Sequence, residues 1–348
     1  MMKFFVYELK KNVWTLVVLT ALATILYVVV QSASNVIWKS PSGQISVETP
    51  QIGVVYGELG VLCILVPVLM YSFKMNKRSV DEFYSLPIKR EKIYFAKTLA
   101  GLILVMVPYA VAYWSGFLSV ALRENYYHLG YYTAGYFGGV LFGLCLYGIN
   151  SFAFARANRI TDGIIFIVAY MLIGWLLASV LSEIFPKAQI ASENFITYSC
   201  LWNFGTNIAV LIKNGSLSDL SWGYSRGYDW SVEMFLYPIL FAVAAYFLLF
   251  FLVRFDKGED AEQNSDSPFG YRLMIPAYTV LCLFMCGNEF PYICMVVIAA
   301  IILTIIHTRK FLFGWRWWAV IAASAVIGIT GCYLIEEFIV APRLQYYQ

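Results

Sequence analysis

Few side chains in this chain of 348 residues could make or break bonds. There are two histidines and seven cysteines. His128 and His307 are far apart in sequence, no C-x-x-C pair occurs, and neither H-E-x-x-H nor G-x-S-x-G is present. Zinc sites and nucleophilic hydrolases need such clusters to hold a metal or activate a nucleophile. We therefore predict no catalytic residues and no metal site, and we do not expect this chain to be an enzyme.

One acidic side chain stands out because its surroundings are apolar. Glu58 lies inside the otherwise uncharged run Gly53–Ser72. An ionisable group inside a membrane is costly and usually marks a functional site. Glu58 is therefore a candidate intramembrane polar site, although a proton-coupled transporter would be expected to carry a more deeply buried carboxylate.

The segment Lys74–Lys97 combines basic, acidic and aromatic residues. Ser79 and Glu82 have the spacing of a capping box, and Pro87 should end the helix that they begin. We predict a short surface helix, Ser79–Leu86, displaying Phe83, Tyr84 and Leu86, and a second helix starting near Lys89. The alternative is a basic loop that sets topology and touches anionic lipid. We favour a protein-docking element, with these candidate residues: Ser79, Asp81, Glu82, Phe83, Tyr84, Leu86, Pro87, Lys89 and Arg90.

The elements around these residues must lie in a membrane. Apolar residues make up 61% of the chain and charged residues 13%, about half of the usual ~25% in soluble domains. Runs of about 20 apolar residues are long enough to span a bilayer. We predict an all-α polytopic fold of nine spans, or eight if the short seventh run does not cross. The predicted spans are Val13–Gln31, Gly53–Ser72, Thr98–Leu122, Ala134–Ala155, Gly163–Leu181, Val232–Val253, Leu273–Gly287, Pro291–His307 and Trp317–Ile335.

The basic residues predict the orientation. With a cytoplasmic N-terminus, most of the 24 Lys and Arg fall on the inner side, as the positive-inside rule requires. The longest outer loop, Glu183–Ser231, is rich in aromatic residues. It is either a lid on the helix ends or an outer gate, and the gate candidates are Trp202, Trp222, Tyr224 and Trp230.

Two further patterns concern packing and domain organisation. Glycines recur every four residues at Gly53 and Gly57, and at Gly135, Gly139 and Gly143. This spacing favours close helix contacts, which we expect to lie within the chain rather than at a dimer interface. A polar stretch then predicts three parts: a six-span domain over 1–255 with an N-terminal helix, a cytoplasmic linker over 256–271, and a three-span hydrophobic tail over 272–348.

Three segments resemble ABC-2 type permeases, the transmembrane subunits of ABC exporters of Gram-positive bacteria. The first inner loop carries that family's acidic-aromatic stretch, Leu-Pro-Ile step and basic helix in KRSVDEFYSLPIKREKIYFAKTLAG. Met1–Asn12 resembles the family's amphipathic elbow helix. The stretch VRFDKGEDAEQ resembles a family segment ending in Glu-x-Ala-Gly, but Glu262 stands where the glycine is usual.

The resemblance implies a function and a set of partners. The chain would be the permease of an ATP-driven exporter that moves a peptide antibiotic, drug or lipid outward across the bacterial plasma membrane. Its docking residues would form a coupling helix bound by a separate ATP-binding subunit. That subunit would hold ATP and Mg²⁺, so this chain would bind no cofactor itself. A second permease, identical or different, and membrane lipids complete the expected partners, and nucleic acid is not among them.

Three other interpretations remain open on the sequence. A membrane-embedded lipid-modifying enzyme would need paired acids or histidines at one membrane face. A secondary transporter would be expected to show charged spans or an inverted repeat. An ABC-like sensor that signals to a kinase would carry a larger extracellular domain than the loop at 183–231. We rank these below the exporter permease.

Overall fold

The structure is a computed structural model. It describes residues 2–33, 37–39, 45–47, 52–122, 129–184, 208, 233–256, 259, 261–263, 265, 267–285, 290–311, 314–335 and 337. The described part is almost entirely helical. One short antiparallel pair of strands, β1 (Ile37–Lys39) and β2 (Ile45–Val47), is an addition to the predicted all-α fold.

The helices follow the apolar runs of the sequence. They are α1 (Met2–Lys11), α2 (Val13–Ala33), α3 (Ile52–Tyr71), α4 (Lys77–Tyr84), α5 (Arg90–Ala121), α6 (Leu129–Ala155), α7 (Ile160–Ile184), α8 (Glu233–Leu252), α9 (Tyr271–Met285), α10 (Phe290–Thr308) and α11 (Trp315–Ile335). Short 3₁₀ turns extend α3 through Ser72–Met75 and α8 through Val253–Phe255.

Seven of the described helices are long and apolar enough to cross a membrane: α2, α3, α5, α6, α8, α10 and α11. Two further apolar stretches, Ile160–Ile173 in α7 and the whole of α9, are shorter. An apolar helix lies at each of the nine predicted places. The sequence-based expectation of a multi-pass membrane protein is therefore confirmed, and α9 has the expected length of 15 residues.

The described helices form two compact units. The first contains α1, α2, α3, α5, α8 and nearly all of α6. The second contains α7, α9, α10 and α11, with the first turn of α4 and the last residues of α6. The predicted domain boundaries at 255 and 272 stay predictions. The helix packing crosses these boundaries, because α7, in the predicted six-span domain, contacts α9, in the predicted three-span tail.

In the first unit, tyrosine rings pack closely against glycine backbones. A Cβ atom at Gly139 in α6 would lie 2.5 Å from Tyr109 Cζ and 2.7 Å from Tyr56 Cε1. The Tyr109 hydroxyl donates to the Tyr136 carbonyl at 3.0 Å, and the Tyr56 hydroxyl donates to the Gly135 carbonyl. The close packing predicted for this glycine face is confirmed at Gly139.

The other glycine pair behaves differently. A Cβ atom at Gly53 or Gly57 in α3 would meet no described residue within 4 Å. The expectation that these two glycines pack within the chain therefore stays a prediction. The buried side of α3 is instead the stripe that includes Val55, Leu59 and Val66. A four-residue glycine spacing shows which residues share a face but not what that face meets.

Candidate functional site

The predicted docking helix exists as α4, but it begins two residues earlier than predicted. The Arg78 amide donates to the Asn76 side-chain oxygen at 3.0 Å, and the Lys77 amide donates to Glu262 Oε1 at 3.3 Å. Asn is as good an N-cap as Ser, and a carboxylate suits the positive end of a helix. The predicted capping role of Ser79 is therefore wrong, since Ser79 lies inside the helix.

The buried side of α4 carries Val80 and Phe83, which are 2% and 7% exposed. The Phe83 ring meets the Phe73 ring edge-on at 4.9 Å between centroids and the Phe4 ring at 6.3 Å. The prediction that Phe83 is displayed on the surface is wrong. The Phe83 ring instead packs against Phe4 in α1 and Phe73 after α3, and these contacts fix α4 to the rest of the chain.

A buried ion pair lies next to these aromatic rings. Lys97 Nζ in α5 lies 3.1 Å from Glu8 Oε1 in α1, and the two side chains are 5% and 1% exposed. The same ammonium group lies 4.4 Å from the Phe83 ring centroid and 4.5 Å from that of Phe73. Cation–π attraction strengthens when the cation is shielded from water. This cluster of Phe73, Phe83, Lys97 and Glu8, the α4 seat, joins α1, α4 and α5.

The opposite side of α4 and the turn after it are open to solvent. The Arg90 guanidinium covers the half-buried Tyr84 ring at 4.4 Å, so Tyr84 is only partly available to a partner. Leu86 is 36% exposed. This surface mixes both charges around one apolar side chain, which is the composition of a polar rim at a protein interface. Its exposed candidate residues are Asp81, Glu82, Leu86, Pro87, Lys89 and Arg90.

Lys74 is one of the basic residues from which the orientation in the membrane is predicted, and it also has a structural role. Lys74 is 7% exposed, and its Nζ donates to the carbonyl of Ala155, the last residue of α6, at 2.6 Å. A cation at a helix C-terminus satisfies an orphan carbonyl and opposes the negative end of the dipole. The start of the inner loop is therefore fixed to the end of α6.

Sequence reasoning missed the polar segment that contacts the turn between α6 and α7. The Glu262 amide donates to the Asn158 carbonyl at 3.2 Å, and Arg159 Nε donates to the Glu262 carbonyl at 2.9 Å. Glu262 has φ = 67°, in the left-handed region that favours glycine. The only signal in the sequence is that Glu262 replaces the glycine of the resembled Glu-x-Ala-Gly stretch.

Two substitutions at Glu262 distinguish the effect of its backbone conformation on stability from the effect of its side chain. Glu262→Gly removes the carboxylate and the backbone strain together, whereas Glu262→Ala removes only the carboxylate. A left-handed residue with a Cβ costs roughly 1–2 kcal/mol. We expect the glycine variant to be the more stable of the two by about 1 kcal/mol, measured by unfolding in mixed micelles of SDS and a neutral detergent. Equal stability of the two variants would show that the left-handed backbone is not strained.

The remaining candidate residues are only partly placed. Glu58 is half-buried, both of its carboxyl oxygens are shielded from solvent, and no hydrogen-bond partner reaches them among the residues that the structure describes. Its role as an intramembrane polar site stays a prediction. The outer-gate candidates Trp202, Trp222, Tyr224 and Trp230 lie outside the described residues. Within the described ranges, no group of three or more His, Cys, Asp or Glu side chains could hold a metal ion.

Comparisons with family models, with curated proteins and with solved structures find no match to this chain. Its function must therefore be inferred from its own residues: a fixed α4 with an exposed polar side, in a chain whose described part has seven helices able to cross a membrane.

Proposed function

We propose that this chain is the permease subunit of an ATP-driven exporter of the ABC-2 type, which moves an amphipathic substrate outward with a separate ATP-binding subunit. One observation carries the proposal. The short helix α4 has one side fixed in the α4 seat and the other side open, with Asp81, Glu82 and Leu86 exposed. A surface helix that only marked topology would have no need of a buried ion pair beneath it.

The α4 seat also suggests how a push on α4 would reach the membrane. Lys97 belongs to α5, a continuous helix of 32 residues, or about 48 Å at ~1.5 Å per residue. The hydrocarbon core is about 30 Å thick, so α5 is long enough to extend beyond it. When the ATP-binding subunits close on ATP, α4 moves and α5 moves with it as a lever. ATP and Mg²⁺ belong to the partner in this scheme.

The first test is recovery of the partner. The tagged chain is purified from its native membrane in mild detergent, its companions are identified by mass spectrometry, and ATP hydrolysis is measured. We expect a stoichiometric ATP-binding subunit with hydrolysis, and the same sample shows whether a second permease is present. Recovery of the chain alone, without nucleotide-binding protein or hydrolysis, would contradict the proposal.

Charge reversal on the open side of α4 tests the docking surface. We expect Asp81→Lys/Glu82→Lys to reduce recovery of the ATP-binding subunit about tenfold or more, because like charges at an interface are strongly repulsive. Both side chains are exposed, so folding should be unaffected. Glu259→Lys, also at an exposed acid, is the control. If both variants retain the partner equally well, α4 is not the docking site.

The variant suggested by the sequence alone is less informative. Phe83→Ala/Tyr84→Ala is predicted to uncouple transport and leave membrane insertion intact. Because Phe83 is buried in the α4 seat, its loss also removes packing and a cation–π contact. An inactive double variant would not distinguish lost docking from lost structure, and the exposed acids are therefore the better test.

A further inference from the structure

The polar segment 261–270, described at residues 261–263, 265 and 267–270 and here termed the strap, contacts the first turn of α4 and the helix α7. Ala261 is 3% exposed and Ser265 is 1% exposed, although both lie in the most polar stretch of the chain. A plain linker would be solvated, because nothing would offset the cost of burying its backbone. The strap is therefore packed against the protein at these two residues.

At its first end, the strap joins α4 to the α6–α7 turn through one residue. The Glu262 side chain accepts a hydrogen bond from the Lys77 amide of α4. The Glu262 amide donates to the Asn158 carbonyl, and the Glu262 carbonyl accepts a hydrogen bond from Arg159. The first turn of α4 cannot shift without pulling on the strap or losing the bond from Lys77. Glu262 makes both main-chain bonds with its backbone in the left-handed region.

In its middle, the strap is tied to the start of α7. The Ser265 hydroxyl donates to Asp162 Oδ2 at 2.6 Å and accepts the Asn158 amide at 2.9 Å. Asp162 is 8% exposed, and its other oxygen accepts the Tyr271 hydroxyl at 3.1 Å. Tyr271 is the first residue of α9. A single buried carboxylate therefore binds the strap and the first turn of α9 to α7.

Beyond Ser265, the strap is fixed along α7 as well. The Tyr170 hydroxyl donates to the Phe269 carbonyl at 2.8 Å. A Cβ atom at Gly270 would lie 2.7 Å from the Phe166 ring, so the backbone passes close to that helix. Hydrogen bonds to a charged group are stronger than neutral ones and cost more to break. Asp162 accepts two buried hydrogen bonds of this kind, one from Ser265 in the strap and one from Tyr271.

We propose that the strap is a transmission element, in which Glu262, Ser265 and Asp162 are positioning residues that couple movement of α4 to α7 and α9. The role in transport rests on the proposed function, because it takes α4 as the helix that the ATP-binding subunit moves. The mechanical link itself does not require that partner. It predicts that a change at Ser265 is felt at the start of α4, a site that Ser265 does not contact in any described hydrogen bond.

Hydrogen–deuterium exchange on the purified full chain tests the link. Ser265→Ala removes the donor to Asp162 and the acceptor for the Asn158 amide. We expect exchange to become about fivefold faster at residues 156–159 and also in the first turn of α4, since one lost hydrogen bond changes local opening by that order. Ser119→Ala is the control, because the Ser119 hydroxyl donates within its own helix, to the Gly116 carbonyl at 2.7 Å, and contacts no part of the strap in any described hydrogen bond.

A second pair of variants covers the case in which Ser265→Ala does not fold. Glu262→Gln keeps an oxygen acceptor for the Lys77 amide, whereas Glu262→Ala does not. We expect faster exchange in the first turn of α4 for the alanine variant and near-native exchange for the glutamine variant. If exchange in α4 is unchanged in both Ser265→Ala and Glu262→Ala, the strap does not couple these helices and the inference is overturned.

The same variants separate this inference from the proposed function. In the purified complex with its ATP-binding subunit, ATP should alter exchange in α9, and Ser265→Ala should reduce that response while leaving the partner bound. An unchanged response with the partner bound overturns transmission and leaves the exporter proposal standing. If no ATP-binding subunit is recovered, the exporter proposal fails, and the exchange result on the isolated chain still decides whether the strap links α4 to α7.

Discussion

Replacing Lys97 with methionine is expected to lower the free energy of unfolding by about 3–5 kcal/mol. The change leaves the Glu8 carboxylate, 1% exposed, without the cation that lies 3.1 Å away. It also removes the positive charge between the rings of Phe73 and Phe83. A charge stranded in a shielded site costs far more than the pair contributes when both partners are present.

Two controls show whether burial causes the effect. Arg254 and Glu91 form an ion pair with a similar separation of 2.9 Å, but their side chains are 57% and 40% exposed. Glu91→Gln should therefore change the free energy of unfolding by only about 0–1 kcal/mol. The double variant Glu8→Leu/Lys97→Met replaces both charges with apolar groups, and it should recover most of the stability that the single variant loses.

Unfolding in mixed micelles of SDS and a neutral detergent measures all of these variants on one scale. The decisive comparison is Lys97→Met against the double variant. If both lose the same free energy, the cost comes from lost packing of the lysine chain and not from a stranded carboxylate. If Lys97→Met costs less than Glu91→Gln, the buried pair contributes nothing that an exposed pair does not.

The membrane helices could be predicted from sequence because hydrocarbon selects for a single property. A run such as Phe290–Thr308 must be apolar throughout to cross, and its ends follow from where polar residues begin. The helix α5 could be extended back to Arg90 because Pro87 prevents an earlier start. These signals are local, and they act over neighbouring residues.

The contacts around α4 could not be predicted in the same way, because they join segments far apart in the chain. An amphipathic stretch has an apolar side, but it does not show whether that side meets a partner protein or the chain itself. Phe83 could serve either purpose, and the deciding fact is that Phe4 and Phe73 lie beside it. The cap from Glu262 to Lys77 spans 185 positions and has no local signature.

Glu262 is an instructive intermediate case. The sequence marks it as a departure from the resembled glycine, and the structure gives it the backbone conformation that a glycine would adopt most easily. The resembled pattern therefore indicates the backbone conformation at this position, although it does not predict a glutamate there. The contacts that its carboxylate and main chain make explain why a side chain with a Cβ is accepted there.

The second large effect is expected at Gly139, where alanine should lower the free energy of unfolding by about 1–3 kcal/mol or more. The new Cβ atom would lie 2.5 Å from Tyr109 Cζ and 2.7 Å from Tyr56 Cε1, well inside van der Waals contact. Neither ring can move freely, because the hydroxyl of each donates to a backbone carbonyl of α6. Accommodating one methyl group therefore breaks hydrogen bonds at two other helices.

Gly57→Ala is the matched control, because it adds the same methyl group to a helix in the same unit. Among the residues that the structure describes, none lies within 4 Å of the Cβ position at Gly57, so we expect helix propensity to be the main effect. Alanine is favoured over glycine inside a helix by roughly 0.5–1 kcal/mol, and this variant should be slightly more stable than the native chain. Opposite signs for the two variants, in the same SDS titration, would support the packing of tyrosine rings on α6. A loss of stability at Gly57 as large as that at Gly139 would mean that its face of α3 is covered in the folded protein, and a neutral Gly139→Ala would contradict the close contact with Tyr109 and Tyr56.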